Sequence, residues 1–319
     1  MTWYALRAMR IAVVGSGGVG GYFGGRLAAA GADVTFLARG AHLEALRTRG
    51  LRIDSPKGNV HLPRVNAVGD PAAIGPADIV FFAVKLYDTA GALAMLPPLI
   101  GPDTVVIPFQ NGVESVETLT KAVGPSHTGG GVSYVSAVIS EPGVIRHTAM
   151  DHLIFGEIDG HRSPRLERLL EACKPAGFQS TLSDNITVEI WTKFVRLSVF
   201  SGMTAVTRSP IGVIVNDPEL LEMLKTAVRE TMAVAHAKGV AVASAIDEDV
   251  ATAYKALPPQ AKASMLEDLE RGRRIELPWL SGAVARIGRE VGVSTPTHTF
   301  INAVLKPHVN GGHGDNGIT

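Results

Sequence analysis

Arg10-Ile11-Ala12-Val13-Val14-Gly15-Ser16-Gly17-Gly18-Val19-Gly20 is the stretch on which the fold turns. Ile11 to Val14 is an apolar run of strand length, and the glycines follow it without a gap. Val19 to Ala30 is alanine-rich and long enough for a helix, and Val34 to Leu37 is a second apolar run. Strand, helix and strand in this order form a parallel unit with a right-handed crossover. Within such a unit Gly15 permits the tight turn, Gly17 lets the backbone approach a pyrophosphate, and Gly20 lets helix and strand pack closely. The helix N-terminus adds unpaired N–H groups and a positive dipole end. Gly15, Ser16, Gly17, Gly18, Val19 and Gly20 are therefore candidates to hold a dinucleotide. A purely structural glycine turn, in a chain with 35 glycines, is the weaker reading because a strand and a helix flank the motif.

The end of the second strand selects the dinucleotide. NAD sites place Asp or Glu there to accept hydrogen bonds from the ribose, whereas a 2′-phosphate prefers a cation. The chain reads Phe36-Leu37-Ala38-Arg39-Gly40, without an acid. The planar fork of Arg39 suits a phosphate, so NADPH is the expected cofactor; a solvated surface arginine is the competing reading.

Outward from this unit, Arg10 to about Ser183 keeps the rhythm of an α/β domain. Ile79 to Val84 and Val105 to Pro108 read as further strands. Gly131 to Ile139, Val144 to His147 and Leu153 to Phe155 read as antiparallel strands that close the sheet. Past Asp184 strand signals nearly vanish, and helices are expected at Ile186 to Phe200, Pro218 to Lys238, Asp247 to Ala256, Ala261 to Arg271, Pro278 to Val291 and Thr297 to Leu305. The fold class is α/β: an N-terminal Rossmann-type dinucleotide-binding domain over residues 1–184, then an all-helical C-terminal domain over 185–319. The glycine-rich tail from His308 is expected to be disordered.

Composition removes several alternatives. Thirty basic and thirty acidic residues give zero formal net charge, so no global field draws the chain to nucleic acid or anionic lipid. The longest apolar runs fall far short of the roughly 20 residues that span a bilayer, and Met1 to Arg10 lacks the apolar stretch of a leader. One cysteine, Cys173, excludes an internal disulfide or a thiolate zinc cluster and fits a cytoplasmic location. The ten histidines are scattered without metal-ligand spacing, and no GxSxG elbow is present. Apolar residues at Leu220, Leu221, Leu224, Val228, Met232 and Ala235 mark a core or subunit contact, leaving a homodimer as one possible assembly.

Lys193 stands out in the helical half. Ile186, Ile190, Lys193, Leu197 and Ser201 share one helical face, and an ammonium on an apolar stripe is costly without a partner. A carbonyl becoming an alkoxide is such a partner; a packed stem with its head snorkelling to water is the alternative. Glu276, just ahead of Pro278, would equally suit the positive end of a following helix. Asn111-Gly112 is by itself a turn signal, Lys85 a polar stop after a strand, and Ser264 a helix-start serine.

Together these residues resemble the ketopantoate reductase family. The resemblance runs from Arg10 to Lys306 and rests on a collinear set. It comprises the glycine motif with Arg39, Val84-Lys85, Gln110-Asn111-Gly112, Glu189-Ile190-Trp191-Thr192-Lys193, Ser264-Met265-Leu266-Glu267-Asp268 with Glu276, and Leu280 to Gly288. It implies NADPH-dependent reduction of a small-molecule 2-oxo acid, with hydride passing to the ketone carbon and Lys193 supplying the proton. It further implies that Glu276 binds a substrate hydroxyl, that Ser264 binds substrate, and that Asn111 and Lys85 line the nicotinamide end. The chain departs from the family at Leu197, Ser201, Ile211 and Ala261, where asparagines are common. Three of these are apolar, and Ser201 is a short hydroxyl left as a substrate-binding candidate. A pocket that loses such donors discriminates hydroxylated substrates less well, so a reductase of a less polar ketone is the alternative enzyme. A non-catalytic NADPH sensor is the alternative class, disfavoured by the retained Lys193 and Glu276.

Overall fold

The computed structural model describes residues 9–243 and 246–312. The chain divides into two compact units, Met1–Gln110 with Glu114–Glu189 and Asn111–Val113 with Ile190–Thr319. The division therefore falls just past the expected boundary at Asp184, and three residues from the first half of the sequence belong to the second unit.

The first unit runs β1 (Arg10–Val14), α1 (Gly18–Ala29), β2 (Asp33–Leu37), α2 (Gly40–Arg49), β3 (Leu51–Asp54), β4 (Val60–Leu62), β5 (Asn66–Val68), β6 (Ile79–Phe82), α3 (Thr89–Leu93), β7 (Val105–Pro108), α4 (Ser115–Val123), β8 (Gly129–Glu141), β9 (Val144–Glu157), α5 (Pro164–Cys173) and β10 (Gln179–Leu182). β5, β2, β1, β6 and β7 lie side by side in that order, all parallel. Both faces are covered, as all-parallel sheets require. Ile11, Val13, Phe36, Phe81 and Ile107 pack on one side with Phe23 and Leu27 of α1. Ala12, Val14, Val80, Phe82 and Val106 pack on the other with Ala92, Leu96 and Leu119. Because β1 is central, the chain leaves it toward β2 on one side and returns to β6 on the other. That reversal is where open α/β sheets bind ligands, beyond the strands' carboxyl ends.

The antiparallel run does not close this sheet. β8 and β9 pair antiparallel, but β9 is parallel to β3 and β10, and with β4 they make a second sheet. The reason lies in the glycines that open β8. A Cβ on Gly129 would come within 3.0 Å of Val105, and one on Gly131 within 2.6 Å of Phe109, so β8 lies flat on side chains from β7 and the turn after it. Helix α1 fits between the sheets by the same device: a Cβ on Gly24 would lie 2.9 Å from Val13 and Phe36, and one on Gly25 2.7 Å from Ile53 and Leu51.

The second unit contains, among its described residues, only helices and turns. They are α6 (Ile186–Thr207), whose first turn is counted with the first unit, α7 (Ile211–Asn216), α8 (Pro218–Ala237), α9 (Ile246–Lys255), α10 (Ser264–Glu270), α11 (Ser281–Glu290) and α12 (Pro296–Leu305). Leu224, Val228 and Met232 of α8 are buried with Phe194, Val199, Met203, Leu277, Val284 and Ile301, so much of the stripe read as a core or subunit contact is used inside its own unit. Buried Glu230 of α8 accepts the backbone N–H groups of Thr297 and His298 at 2.9 and 3.1 Å, placing a carboxylate at the positive end of α12. The tail from His308 is ordered at its start, since Ile275 N–H donates to Val309 O at 3.1 Å and Gly312 N–H to Gly272 O at 2.9 Å. The rest of the expected disordered tail, 313–319, lies outside the described residues.

Candidate active site

The glycine loop joins β1 to α1. Gly15 has φ +98°, and a Cβ there would meet Val84 N at 2.6 Å, so only glycine allows the loop to lie against the end of β6. A Cβ on Gly20 would meet Gly15 O at 2.3 Å and Val13 at 2.7 Å, the close helix-to-strand packing expected of the third glycine. Gly18 is likewise pressed onto Ala137 O, and half-buried Val19 packs into the core. Gly17 differs: nothing lies within 4 Å of a Cβ built on it. It precedes an α1 N-terminus with no side-chain cap and no acid in its first turn. Open space beside bare backbone N–H groups is what a pyrophosphate requires, so the loop fits a dinucleotide.

Buried Ser16 ties this loop to β2, its Oγ donating to Leu37 O at 2.9 Å. Two residues on, Arg39 stands with its side chain 84% exposed, and its Nη2 lies 3.1 Å from Asp88 Oδ2. Asp88 ends the 3₁₀ turn Leu86–Asp88, and its N–H donates to Lys85 O at 2.9 Å. Exposed Lys85 thus sits on the loop that reaches Arg39. Asp88 is not marked by sequence reasoning; its one signal is that it lies six residues past the end of a central strand.

The other predicted residues gather in the second unit. Lys193 is half-buried on α6, next to Phe194, which packs edge-on against Trp191 of the same helix at 5.6 Å. Lys193 Nζ donates to Asn111 Oδ1 at 3.0 Å, and Asn111 Nδ2 donates to Glu276 Oε2 at 3.0 Å. An ammonium can only donate and a carboxylate only accept, so the amide of Asn111 has a single orientation that serves both. Burial pushes the Lys193 ammonium down from its ordinary value to about 8, and the negative charge of Glu276 opposes that fall. Asn111, expected beside the cofactor, is therefore joined to Lys193 and Glu276. Glu276 is buried just before the 3₁₀ turn Leu277–Trp279.

Ser264 and Ser201 do not join this hydrogen-bonded group. Ser264 is exposed as the first residue of α10. Ser201 is fully buried with no partner for its Oγ among the described residues, so a substrate contact there requires neighbouring side chains to move. Of the departures from the family pattern, Leu197 is half-buried, and Ile211 N–H donates to Ala261 O at 2.9 Å, so two of the apolar replacements are adjacent. Among the described residues, no group of three or more His, Cys, Asp or Glu side chains could hold a metal ion, and no helix is long and apolar enough to cross a membrane.

A glycine loop shaped for a dinucleotide, together with a half-buried lysine hydrogen-bonded through Asn111 to Glu276, fits a dinucleotide-dependent oxidoreductase. The family described as ketopantoate reductase PanE/ApbA matches residues 11–160, and its C-terminal counterpart matches residues 185–309. The chain belongs to the ketopantoate reductase family. It is 34% identical over 318 residues to a 2-dehydropantoate 2-reductase of Mesorhizobium japonicum, covering 93% of this chain and 96% of that one. An uncharacterized oxidoreductase of Bacillus subtilis, YkpB, is 32% identical over 300 residues, covering 93% and 98%. The crystal structure of 2-dehydropantoate 2-reductase from Geobacter metallireducens superposes with a TM-score of 0.88 at 28% identity, covering 94% of this chain and 99% of that one.

Proposed function

We propose that this protein reduces a 2-oxo acid with NADPH, and that the substrate is 2-dehydropantoate (ketopantoate), giving pantoate for pantothenate biosynthesis in the cytoplasm. The observation that carries the reading is the chain of hydrogen bonds from Lys193 through Asn111 to Glu276. Bound NADPH supplies the hydride. Lys193 polarises the ketone and delivers its Nζ proton to the oxygen as alkoxide character develops. A lysine near 8 is mostly protonated at neutral pH yet is a far stronger acid than an ordinary one, which suits a proton donor. Asn111 fixes the direction of Nζ, while Glu276 keeps the ammonium charged and receives the substrate hydroxyl. Ser264 supplies a substrate-binding hydroxyl, and Ser201 contributes only after local movement. Arg39 reads the 2′-phosphate and Lys85 lines the nicotinamide end, while Gly15, Ser16, Gly17, Gly18, Val19 and Gly20 form the pyrophosphate loop.

The test follows NADPH consumption with a panel of 2-oxo acids that includes ketopantoate. Ketopantoate should give the highest kcat/KM, and Arg39→Ala should weaken NADPH by roughly ten- to a hundredfold, the worth of charge-assisted contacts. No consumption with any 2-oxo acid would remove the reading. The apolar Leu197, Ile211 and Ala261 favour a second reading, a reductase of a less polar ketone, which the same panel distinguishes.

A further inference from the structure

β2 ends without the acid that would accept a ribose hydroxyl, yet the fold brings one to the same place from another strand. β2 and β6 flank β1, so the loops that follow them rise on either side of the glycine loop. Arg39 comes from the first and Asp88 from the second, and their side chains meet at 3.1 Å. The residue assigned to a 2′-phosphate is thus paired with a carboxylate. The guanidinium is 84% exposed and Asp88 about one-third exposed, and such a pair is worth little by itself, so it yields readily to a ligand.

We propose that Asp88 is a cofactor-selecting residue, acting against Arg39 at the 2′ position of the adenosine ribose. Its carboxylate accepts the 2′-hydroxyl of NADH and repels the 2′-phosphate of NADPH. The enzyme therefore uses both dinucleotides, and the balance between Arg39 and Asp88 sets the degree of NADPH preference. The chemistry follows from the groups themselves: a carboxylate is a strong acceptor for a hydroxyl, whereas a phosphate monoester brings nearly two further negative charges beside it. This inference rests on the assignment of Arg39 to the 2′-phosphate.

Equilibrium titrations of NADPH and NADH, read by calorimetry, against wild type, Asp88→Asn and Arg39→Ala separate the two. Asn keeps the size of Asp and removes its charge. Asp88→Asn should tighten NADPH and weaken NADH, moving the ratio of their dissociation constants about tenfold toward NADPH, the effect of one hydrogen bond to a charged group. A ratio within about twofold of wild type (under about 0.5 kcal/mol), or weaker NADPH binding because Asp88 props Arg39 in place, overturns the proposal. Loss of NADPH affinity in Arg39→Ala alongside a silent Asp88→Asn overturns the role of Asp88 alone. Unchanged NADPH affinity in Arg39→Ala overturns the assignment of Arg39 as well.

Discussion

Replacing Asn111 with alanine removes the side chain that bridges Lys193 and Glu276. The ammonium then loses an acceptor in a half-buried setting, where a hydrogen bond to a charged group contributes about 1.5–3 kcal/mol. Each 1.36 kcal/mol is one pKa unit, so Lys193 should fall from about 8 by roughly one to two units. The sign follows from the proposed role: a proton donor must be protonated, so reduction should decline as pH rises through the lysine pKa. In wild type the decline in kcat/KM should centre near 8, and in Asn111→Ala it should move into the range of about 6 to 7. Glu276→Gln should move it the same way, since the Glu276 charge is what opposes the fall. The assay is kcat/KM for NADPH-dependent reduction across pH, with NADPH binding checked separately. A decline that stays at the wild-type position in both variants would refute the idea that this hydrogen-bonded chain tunes the lysine.

Two glycines of the same loop should respond oppositely. Gly15→Ala forces φ +98° on alanine and drives Cβ toward the backbone of Val84, so the melting temperature should drop. Gly17→Ala has open space around it and should melt like wild type while binding NADPH at least about tenfold more weakly. Lys193 also links stability to pH. Its folded pKa of about 8 lies below the unfolded value of about 10.5, so between these values the unfolded chain holds more protons and stability rises with pH. The melting temperature of wild type relative to Lys193→Met should therefore climb from pH 8 to 10, and a constant difference would contradict the burial argument. For the substrate, ketopantoate should exceed 2-oxo-3,3-dimethylbutanoate in kcat/KM by no more than about thirtyfold, the worth of a hydroxyl bound chiefly by Glu276; a thousandfold gap would show that discrimination survives without the family's asparagines.

The β1–α1–β2 unit is legible in the sequence because β1 is an unbroken apolar run from Ile11 to Val14 and the Val34–Leu37 run of β2 is interrupted only by Thr35, with the glycines at fixed places between them. Shorter strands carry no such mark. β4 and β5 have three residues each and β3 and β10 four, with exposed polar positions among them, and the second sheet depends on contacts between distant segments. The glycines of β8 look like ordinary turn or strand-end residues until Val105 and Phe109 are seen against them. α7, with six residues, is too short to show a helical period. In the site, Lys193 is betrayed by its place on an apolar stripe, and Glu276 by its distance from Ser264 in the family pattern. The partners are another matter. Asn111 meets Lys193 across 82 residues and Glu276 across 165, and Arg39 meets Asp88 across 49; no local periodicity encodes such meetings.

The most direct test of the central claim is a single-turnover measurement of NADPH oxidation by ketopantoate in wild type and in Lys193→Met. Wild type should convert its bound NADPH. The variant should bind NADPH with similar affinity and lose most of the rate, because the proposed mechanism has the lysine acting in the transition state. Near-normal single-turnover reduction by a folded Lys193→Met protein, or no oxidation of NADPH by wild type, would contradict the account.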